Sequence, residues 1–264
     1  MSPSKPPQTQ ISTRVSIRWL PEPPFETTDS IVLTIGEWYV DLRVDKKTGL
    51  IDWAIAGQCL QQPGSPRRLV FTHTIDSHNN FNISDPCPFI PLPNGDDIET
   101  GAMPRPDKPG APVTKYEEVW RYHSLRNSPE PRRAWILESA DCEQKEGQYL
   151  IWKTFLGRIG DTYLALHQEQ VHVQSRSSAG KWKVEVKGGP VSARREEWSG
   201  TQWEEKYVLG PSGQSLPSMR IGIDGKIQGS WASPGQKVSV GGRQYIFRAF
   251  EDLENEGSSG KSRL

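Results

Sequence analysis

Acidic residues stand beside tryptophans at two places in the sequence, a combination that could perform acid–base chemistry. The stretches are YEEVWRYH, residues 116–123, and REEWSGTQWEEKY, residues 195–207. A carboxyl group that faces inward beside an indole has its pKa raised by desolvation, so Glu118 or Glu197 could act as a general acid or base. Alternatively these glutamates pair with basic residues on solvated faces, which is favoured because charged residues are seldom buried without partners. The basic residues available are Arg121, Arg194, Arg195 and Lys206.

The histidines and cysteines do not predict a metal centre. His73 and His78 are five residues apart, as are His167 and His172. On a regular strand, an odd separation points two side chains to opposite faces. The three cysteines lie far apart without a C-x-x-C pair, so neither a zinc site nor a disulfide framework is expected. The sequence also lacks nucleophile-elbow, phosphate-loop and dinucleotide-binding motifs, and we predict no cofactor.

The ten tryptophans could fill a core, or some could line a cavity. Core packing is favoured because indoles bury a large apolar area, but a barrel of about eight strands can hold one small apolar ligand. The aromatic lining candidates in the second half are Trp152, Trp182, Trp203 and Trp231. With the charged residues nearby, the predicted ligand-binding set in the first half is Trp38, Asp41, Arg43, Asp52, Trp53, Glu118, Trp120 and Tyr122.

Strands must position these residues, because apolar and polar side chains alternate along most of the chain. In WYVDLRV, residues 38–44, the even positions form an apolar face and the odd positions carry Asp41 and Arg43. Gly49 stands where a hairpin needs positive φ, so the next strand should pair back antiparallel. SVGGRQ, residues 239–244, predicts a two-glycine hairpin turn. Helical periodicity is scarce, and we predict an all-β fold.

The chain is long enough for two domains, and a W-A-x-x-G pattern occurs once in each half. We therefore predict two related antiparallel β-barrels packed in tandem, joined near the proline-containing RNSPEPRR. A stretch with eight prolines, which is too many for a sheet interior, predicts a lid or a disordered insertion in the first barrel. The predicted parts are a disordered N-terminus at 1–12, a first barrel at 13–126 with the insertion at 76–115, a second barrel at 133–250 and a flexible tail at 251–264.

Charge and hydropathy exclude several classes of partner. Lysine plus arginine equals aspartate plus glutamate at 32 each, so no global field attracts nucleic acid or an anionic membrane. Neither a membrane-spanning apolar run nor a secretory signal is present, which predicts no membrane insertion and an intracellular location. The final Ser262-Arg263-Leu264 resembles a peroxisomal import address of the serine-lysine-leucine type. Cytoplasm and peroxisome are both expected locations.

Residues 12–57, STRVSIRWLPEPPFETTDSIVLTIGEWYVDLRVDKKTGLIDWAIAG, resemble the fungal HRI family, which is named for interaction with a casein-kinase-type protein kinase. The most specific segments are IDWAIAG at 51–57 and YVDLR at 39–43, together with Arg18-Trp19. The resemblance implies a pair of lipocalin-like β-barrels and a protein kinase partner. It implies no established catalytic residues.

Two functional hypotheses follow from these observations. The first is a non-enzymatic, calycin-like binding or adaptor protein of fungi, which carries a small apolar ligand or docks a protein kinase. The alternative is a cofactor-free barrel enzyme of fungal secondary metabolism, an isomerase or a pericyclic cyclase, which encloses and orients its substrate. In that case a polar contact would come from Asp41, Arg43, Asp52 or Glu118.

Overall fold

A computed structural model describes residues 9–81, 86–105, 107–123, 132–145, 148–176, 182–223, 227 and 233–253. The chain is built almost entirely from antiparallel strands, as the sequence predicted. The strands of the first unit are β1 (Gln10–Trp19), β2 (Thr28–Ile35), β3 (Trp38–Asp45), β4 (Ile51–Gln62), β5 (Arg67–Phe71), β6 (Ile75–Asp76), β7 (Cys87–Pro91), β8 (Asp97–Pro104) and β9 (Val113–His123). Those of the second unit are β10 (Arg133–Lys145), β11 (Gln148–Ile159), β12 (Thr162–Arg176), β13 (Trp182–Gly188), β14 (Ser192–Trp198), β15 (Trp203–Leu209), β16 (Lys237–Val240) and β17 (Arg243–Asp252).

The first unit is a closed antiparallel barrel. Strand β1 pairs with β2 on one side and with β9 on the other, and the ring continues through β3, β4, β5, β7 and β8. The short β6 adds to β4 outside this ring. Gly49 has a φ of 71°, so the predicted hairpin between β3 and β4 is confirmed. The barrel begins at Gln10, within the stretch that we expected to be disordered.

The proline-rich stretch 76–115 is part of this barrel, so the prediction of a lid or a disordered insertion is wrong. It supplies β7 and β8, without which β5 and β9 would not be joined. Strand β7 tolerates Pro88 and Pro91 because it is only five residues long and has few ladder bonds to lose. Pro104 is the last residue of β8, where a missing N–H costs little.

The second unit is an eight-stranded antiparallel sheet in the order β15-β14-β12-β11-β10-β17-β16, with β13 paired to β12. Among the described residues, no pairing joins its edge strands β15 and β16. One face of this sheet is covered by a dense apolar cluster that includes Trp135, Tyr163 and Phe247. The predicted turn at Gly241 and Gly242 is confirmed, with φ values of 58° and 81°.

The two units share the largest apolar core of the molecule. Leu33 and Val40 of the first barrel belong to the same buried cluster as Phe155 and Leu164 of the second unit. This packing buries the outer face of β2, β3 and β4, whose outward side chains are mainly aliphatic. Polar contacts also cross the interface: Gln168 donates to the Asp76 carbonyl at 2.9 Å and accepts from the Asp76 backbone N–H at 3.1 Å.

Several predictions fall outside the described residues. They concern the terminal Ser262, Arg263 and Leu264, most of the segment 126–133 between the units, and Trp231 of the second W-A-x-x-G pattern. In the part of the chain that is described, no helix has the length and apolar character needed to cross a membrane.

Candidate functional site

A cavity of about 900 Å³ occupies the interior of the first barrel. Strand β3 contributes its odd positions, Asp41 among them, and β9 contributes its even positions, including Glu118 and Trp120. This follows from strand geometry, since alternate residues point to the same face. The main apolar and aromatic lining residues are Val32, Tyr39, Trp53, Ile55, Leu69, Phe71, Phe89, Met103, Tyr116, Trp120 and Tyr122.

Arg43 is the centre of a buried charged cluster on the cavity wall. Its Nη2 donates to Asp41 Oδ2 at 2.9 Å, and its Nη1 donates to Glu118 Oε1 at 3.2 Å. The guanidinium carbon lies 4.9 Å from the Trp53 ring centre and 5.3 Å from that of Trp120, which places the cation beside both indoles. Arg43 is therefore held by four neighbours at once.

Glu118 bonds to a second buried arginine, Arg14, whose Nε also donates to Glu26 at 2.7 Å. Burial alone would lower the pKa of Arg43, but the charges of Asp41 and Glu118 outweigh it and raise that pKa. Burial raises the pKa of Asp41, and Arg43 opposes that shift. Removing one member of this set would leave an uncompensated charge.

Glu99 differs from the other carboxylates of the cavity because its hydrogen-bond donors are neutral. Tyr116 donates its hydroxyl to Oε1 at 2.8 Å, and the indole N–H of Trp120 donates to Oε2 at 3.0 Å. Burial, and then the nearby charge of Glu118, raise the pKa of Glu99 to about 7. Glu99 can therefore gain or lose a proton near neutral pH.

Gly101 allows this arrangement because it lies under the ring of Tyr116. A Cβ at position 101 would come within 2.7 Å of the ring, closer than real contacts allow. Gly101 lies directly opposite Tyr116 on the neighbouring strand, and Glu99 is two residues before Gly101. The absence of a side chain at Gly101 thus lets Tyr116 reach across to Glu99.

A second buried network joins the cavity wall to the other unit. Trp53 donates its indole N–H to Asp76 at 3.0 Å, and His73 Nδ1 lies 2.5 Å from the other Asp76 oxygen. Burial alone would raise the pKa of Asp76, but these bonds and one from the His78 backbone lower it. The Asp76 backbone bonds Gln168 of β12, so the orientation of Trp53 is linked to the interface between the units.

Of the predicted ligand-binding residues, the structure brings six together around the cavity: Asp41, Arg43, Trp53, Glu118, Trp120 and Tyr122. Trp38 and Asp52 do not line it. Each is adjacent in sequence to a lining residue, so the pleat turns it to the opposite face. Trp38 packs 6.1 Å from the Phe155 ring at the shared core, and Asp52 is exposed.

Sequence reasoning missed Glu99 and Tyr116. Glu99 lies in the stretch that was read as an insertion. Tyr116 lies on the same face of β9 as Glu118, Trp120 and Tyr122, because these residues are two positions apart along the strand. The alternation could therefore have identified it. Of the two predicted acid–base candidates, Glu118 is buried but ion-paired, whereas Glu197 is partly exposed and pairs with Arg195 and Lys206.

The candidates in the second half do not form a comparable site. Trp203 packs at the edge of the apolar cluster, and Trp152 lines a second cavity, of about 810 Å³, in the second unit. The side chain of Trp182 and all of Trp231 lie outside the description. Over the described residues, no group of three or more histidine, cysteine, aspartate or glutamate side chains is arranged to hold a metal ion.

A family model described as "Protein HRI1" matches residues 10–230. The chain belongs to the HRI1 family. Among solved structures, it is similar to the uncharacterized protein YLR301w from Saccharomyces cerevisiae, with a TM-score of 0.62 and 14% sequence identity over 92% of this chain and 98% of that chain. At this identity the likeness shows the fold alone. None of the curated proteins is similar enough to this HRI1-family chain to count as a relative.

Proposed function

We propose that this HRI1-family protein is a non-enzymatic binding protein that holds a small, largely apolar molecule inside its first barrel. The observation that carries the proposal is the cavity of about 900 Å³, which falls in the size range of small-molecule sites. Its wall combines aromatic and aliphatic side chains with a few fixed polar groups, the usual composition of such sites. The second unit also has a cavity, of about 810 Å³, but polar and charged residues such as Arg194, Glu205 and Arg243 predominate in its lining.

The rim of the cavity supports access from solvent. Leu20 and Val113 both line the cavity and are exposed, Val113 by 72%. Exposed aliphatic residues beside an internal cavity give an apolar molecule a surface to contact first.

The test is native purification followed by mass spectrometry of any bound molecule. It compares the wild type with a variant in which a larger side chain fills part of the cavity. Leu69 lines the cavity and is buried, so Leu69→Trp should occupy space that a ligand needs. Leu50→Trp is the matched control because Leu50 is exposed in the β3–β4 turn. A small molecule should accompany the wild type and Leu50→Trp but not Leu69→Trp. Wild-type protein that arrives empty and binds no apolar probe contradicts the proposal.

A cofactor-free isomerase is the second candidate, and Glu99 favours it. A carboxyl group with a pKa near neutrality, inside an aromatic cavity, is suited to move a proton. Incubating the co-purified molecule with the protein in D₂O tests this: an isomerase that works by proton transfer would introduce deuterium, and Glu99→Gln would not.

A protein kinase partner and peroxisomal import stay predictions. The kinase rests on the family resemblance, and affinity purification with the wild-type protein would test it. Import rests on Ser262-Arg263-Leu264, and microscopy of an N-terminally tagged protein with and without Leu264 would test it.

A further inference from the structure

The buried charges of the first barrel do not balance when Glu99 is ionised. Two arginines, Arg14 and Arg43, face three carboxylates that are more than nine-tenths buried, Asp41, Glu99 and Glu118. Both arginines are engaged by carboxylates other than Glu99. A buried carboxylate without a bonded cation is costly in a cavity of low dielectric, and a cation brought by a ligand would relieve that cost.

The other basic residues of the cavity wall also have partners or are exposed to solvent. Arg67 pairs with Asp97 at 2.7 Å and contacts the Tyr122 hydroxyl at 3.2 Å. His73 lies against Asp76. Lys115 stands at the exposed rim, where solvent screens its charge. Arg43 acts on Glu99 through space only, because no hydrogen bond joins the two among the described residues.

The aromatic wall suits a cation as well. Guanidinium groups already lie over three of its rings: Arg43 over Trp53 and Trp120, and Arg67 over Phe89 at 5.3 Å. Tyr39 and Phe71 add further rings in an edge-to-face pair with centres 5.2 Å apart. Aromatic walls combined with a carboxylate form the type of pocket that attracts organic ammonium groups.

Resting on the proposed binding function, we infer that the ligand is an organic cation: an apolar body that carries a protonated amine, with Glu99 as its counter-ion. The apolar body contacts the aliphatic and aromatic wall, and the ammonium group replaces the missing cation beside Glu99. An anionic ligand would instead meet an excess of negative charge.

Three matched probes test this by isothermal titration calorimetry: 2-naphthylmethylamine, which is a cation, 2-naphthylmethanol, which is neutral, and 2-naphthoate, which is an anion. The wild type should bind the amine at least about tenfold more tightly than the alcohol, a typical contrast for one charge-assisted contact, and should bind the anion least. Glu99→Gln should lose the preference for the amine and keep its affinity for the alcohol. Glu37→Gln, which removes an exposed carboxylate from the same barrel, should behave as wild type.

A pH comparison on the wild type keeps the test independent of variant folding. The groups that face Glu99 are Glu118 and Tyr116 from β9, Arg43 from β3, Cys59 from β4 and Cys87 from β7. With a pKa of about 7, Glu99 is mainly charged at about pH 8 and mainly neutral at about pH 6. Affinity for the amine should therefore be about tenfold higher at the upper pH, whereas affinity for the alcohol should not change.

The outcomes separate the two proposals. Equal binding of amine and alcohol, or preference for the anion, overturns the cationic ligand and leaves the binding function in place. Failure of all three probes to bind, together with protein that purifies without any molecule, overturns both.

Discussion

Glu99 and Glu118 are directly opposite each other on neighbouring strands β8 and β9, yet their partners differ in kind. Glu118 accepts hydrogen bonds from Arg14 and Arg43, and Glu99 accepts from the hydroxyl of Tyr116 and the indole of Trp120. Glu118 is thus held by two guanidinium groups, whereas Glu99 has neutral donors and a pKa near neutrality. The first two predictions test this difference.

Glu118→Gln should be far more destabilising than Glu99→Gln. The first change leaves two buried arginines with reduced compensation and should cost about 3 kcal/mol of unfolding free energy. The second exchanges a carboxyl group for a neutral amide among neutral donors and should cost about 1 kcal/mol at about pH 5, where Glu99 is itself neutral in the folded state, and less at neutral pH. Urea denaturation measures both. Glu117→Gln is the control, because its partner Arg18 is half-exposed and such pairs contribute about 1 kcal/mol or less. Similar losses for the variants at positions 118 and 99 would contradict the assignment.

The stability difference between Glu99→Gln and wild type should depend on pH. The pKa of Glu99 rises from its usual 4.5 to about 7 on folding, so the folded state binds more protons between these values. Wild-type stability from this group is therefore greatest at low pH and falls as pH rises toward 7, by about 3 kcal/mol in total. Glu99→Gln has no titrating group at this position and lacks that loss. Its stability relative to wild type should therefore increase as the pH rises from about 4.5 to about 7. Parallel pH curves for the two proteins would show that Glu99 does not titrate there.

Gly101→Ala should displace Tyr116 from Glu99. The new methyl group would come within 2.7 Å of the ring, and overpacking of this kind costs about 1–3 kcal/mol. Thermal denaturation measures the loss. Ala102→Val is the control, since Ala102 is exposed on the same strand and should change stability by about 0.5 kcal/mol or less. Full wild-type stability in Gly101→Ala would mean that the ring moves aside freely.

The two units should unfold together. Leu33 is fully buried in the core that both units share, so Leu33→Ala should cost about 3 kcal/mol and shift one common transition. Tryptophan fluorescence and far-ultraviolet circular dichroism should report coincident midpoints for wild type and variant. Val184→Ala, at a position that is 48% exposed, should leave the midpoint nearly unchanged. A second transition that Leu33→Ala does not move would show that one unit is independent.

Thiol labelling should distinguish the three cysteines. Burial raises the pKa of Cys59 and of Cys87 to about 12, so their reactive thiolates are scarce at mildly alkaline pH. Cys142 is exposed. Iodoacetamide should modify Cys142 in the folded protein and all three cysteines after unfolding, as peptide mass spectrometry would show. Rapid labelling of Cys59 in the folded protein would contradict the closed barrel wall at β4.

The sequence was sufficient to predict the strands but not which face of each strand encloses the cavity. Alternation correctly grouped Asp41 with Arg43 and separated them from Val40. It could not assign the faces, because both are buried in β3: Val40 packs against the second unit and Asp41 faces the cavity. Trp38 was expected at the site since indoles favour interiors, and it does lie in an interior, that of the shared core.

Glu99 was missed for a different physical reason. Proline density argues against a long strand, but β7 has only five residues, and the one proline of β8 is its last residue, so few hydrogen bonds are lost. The alternation in DIETGAMP was present and was outweighed by composition. The raised pKa of Glu99 depends on Glu118, which is 19 positions away in sequence, and only the pairing of β8 with β9 brings them together.

The double burial of β3 and β4 constrains how this protein can diverge. One face of each strand lines the cavity, and the other packs in the core shared with the second unit. Adding or removing one residue inside either strand would turn every later side chain to the opposite face, which would move charged groups into the shared core and aliphatic groups into the cavity. Homologues should therefore differ here by exchange of residue types at constant strand length. Gaps in their alignments should collect in turns such as residues 46–50, where a change in length transposes nothing.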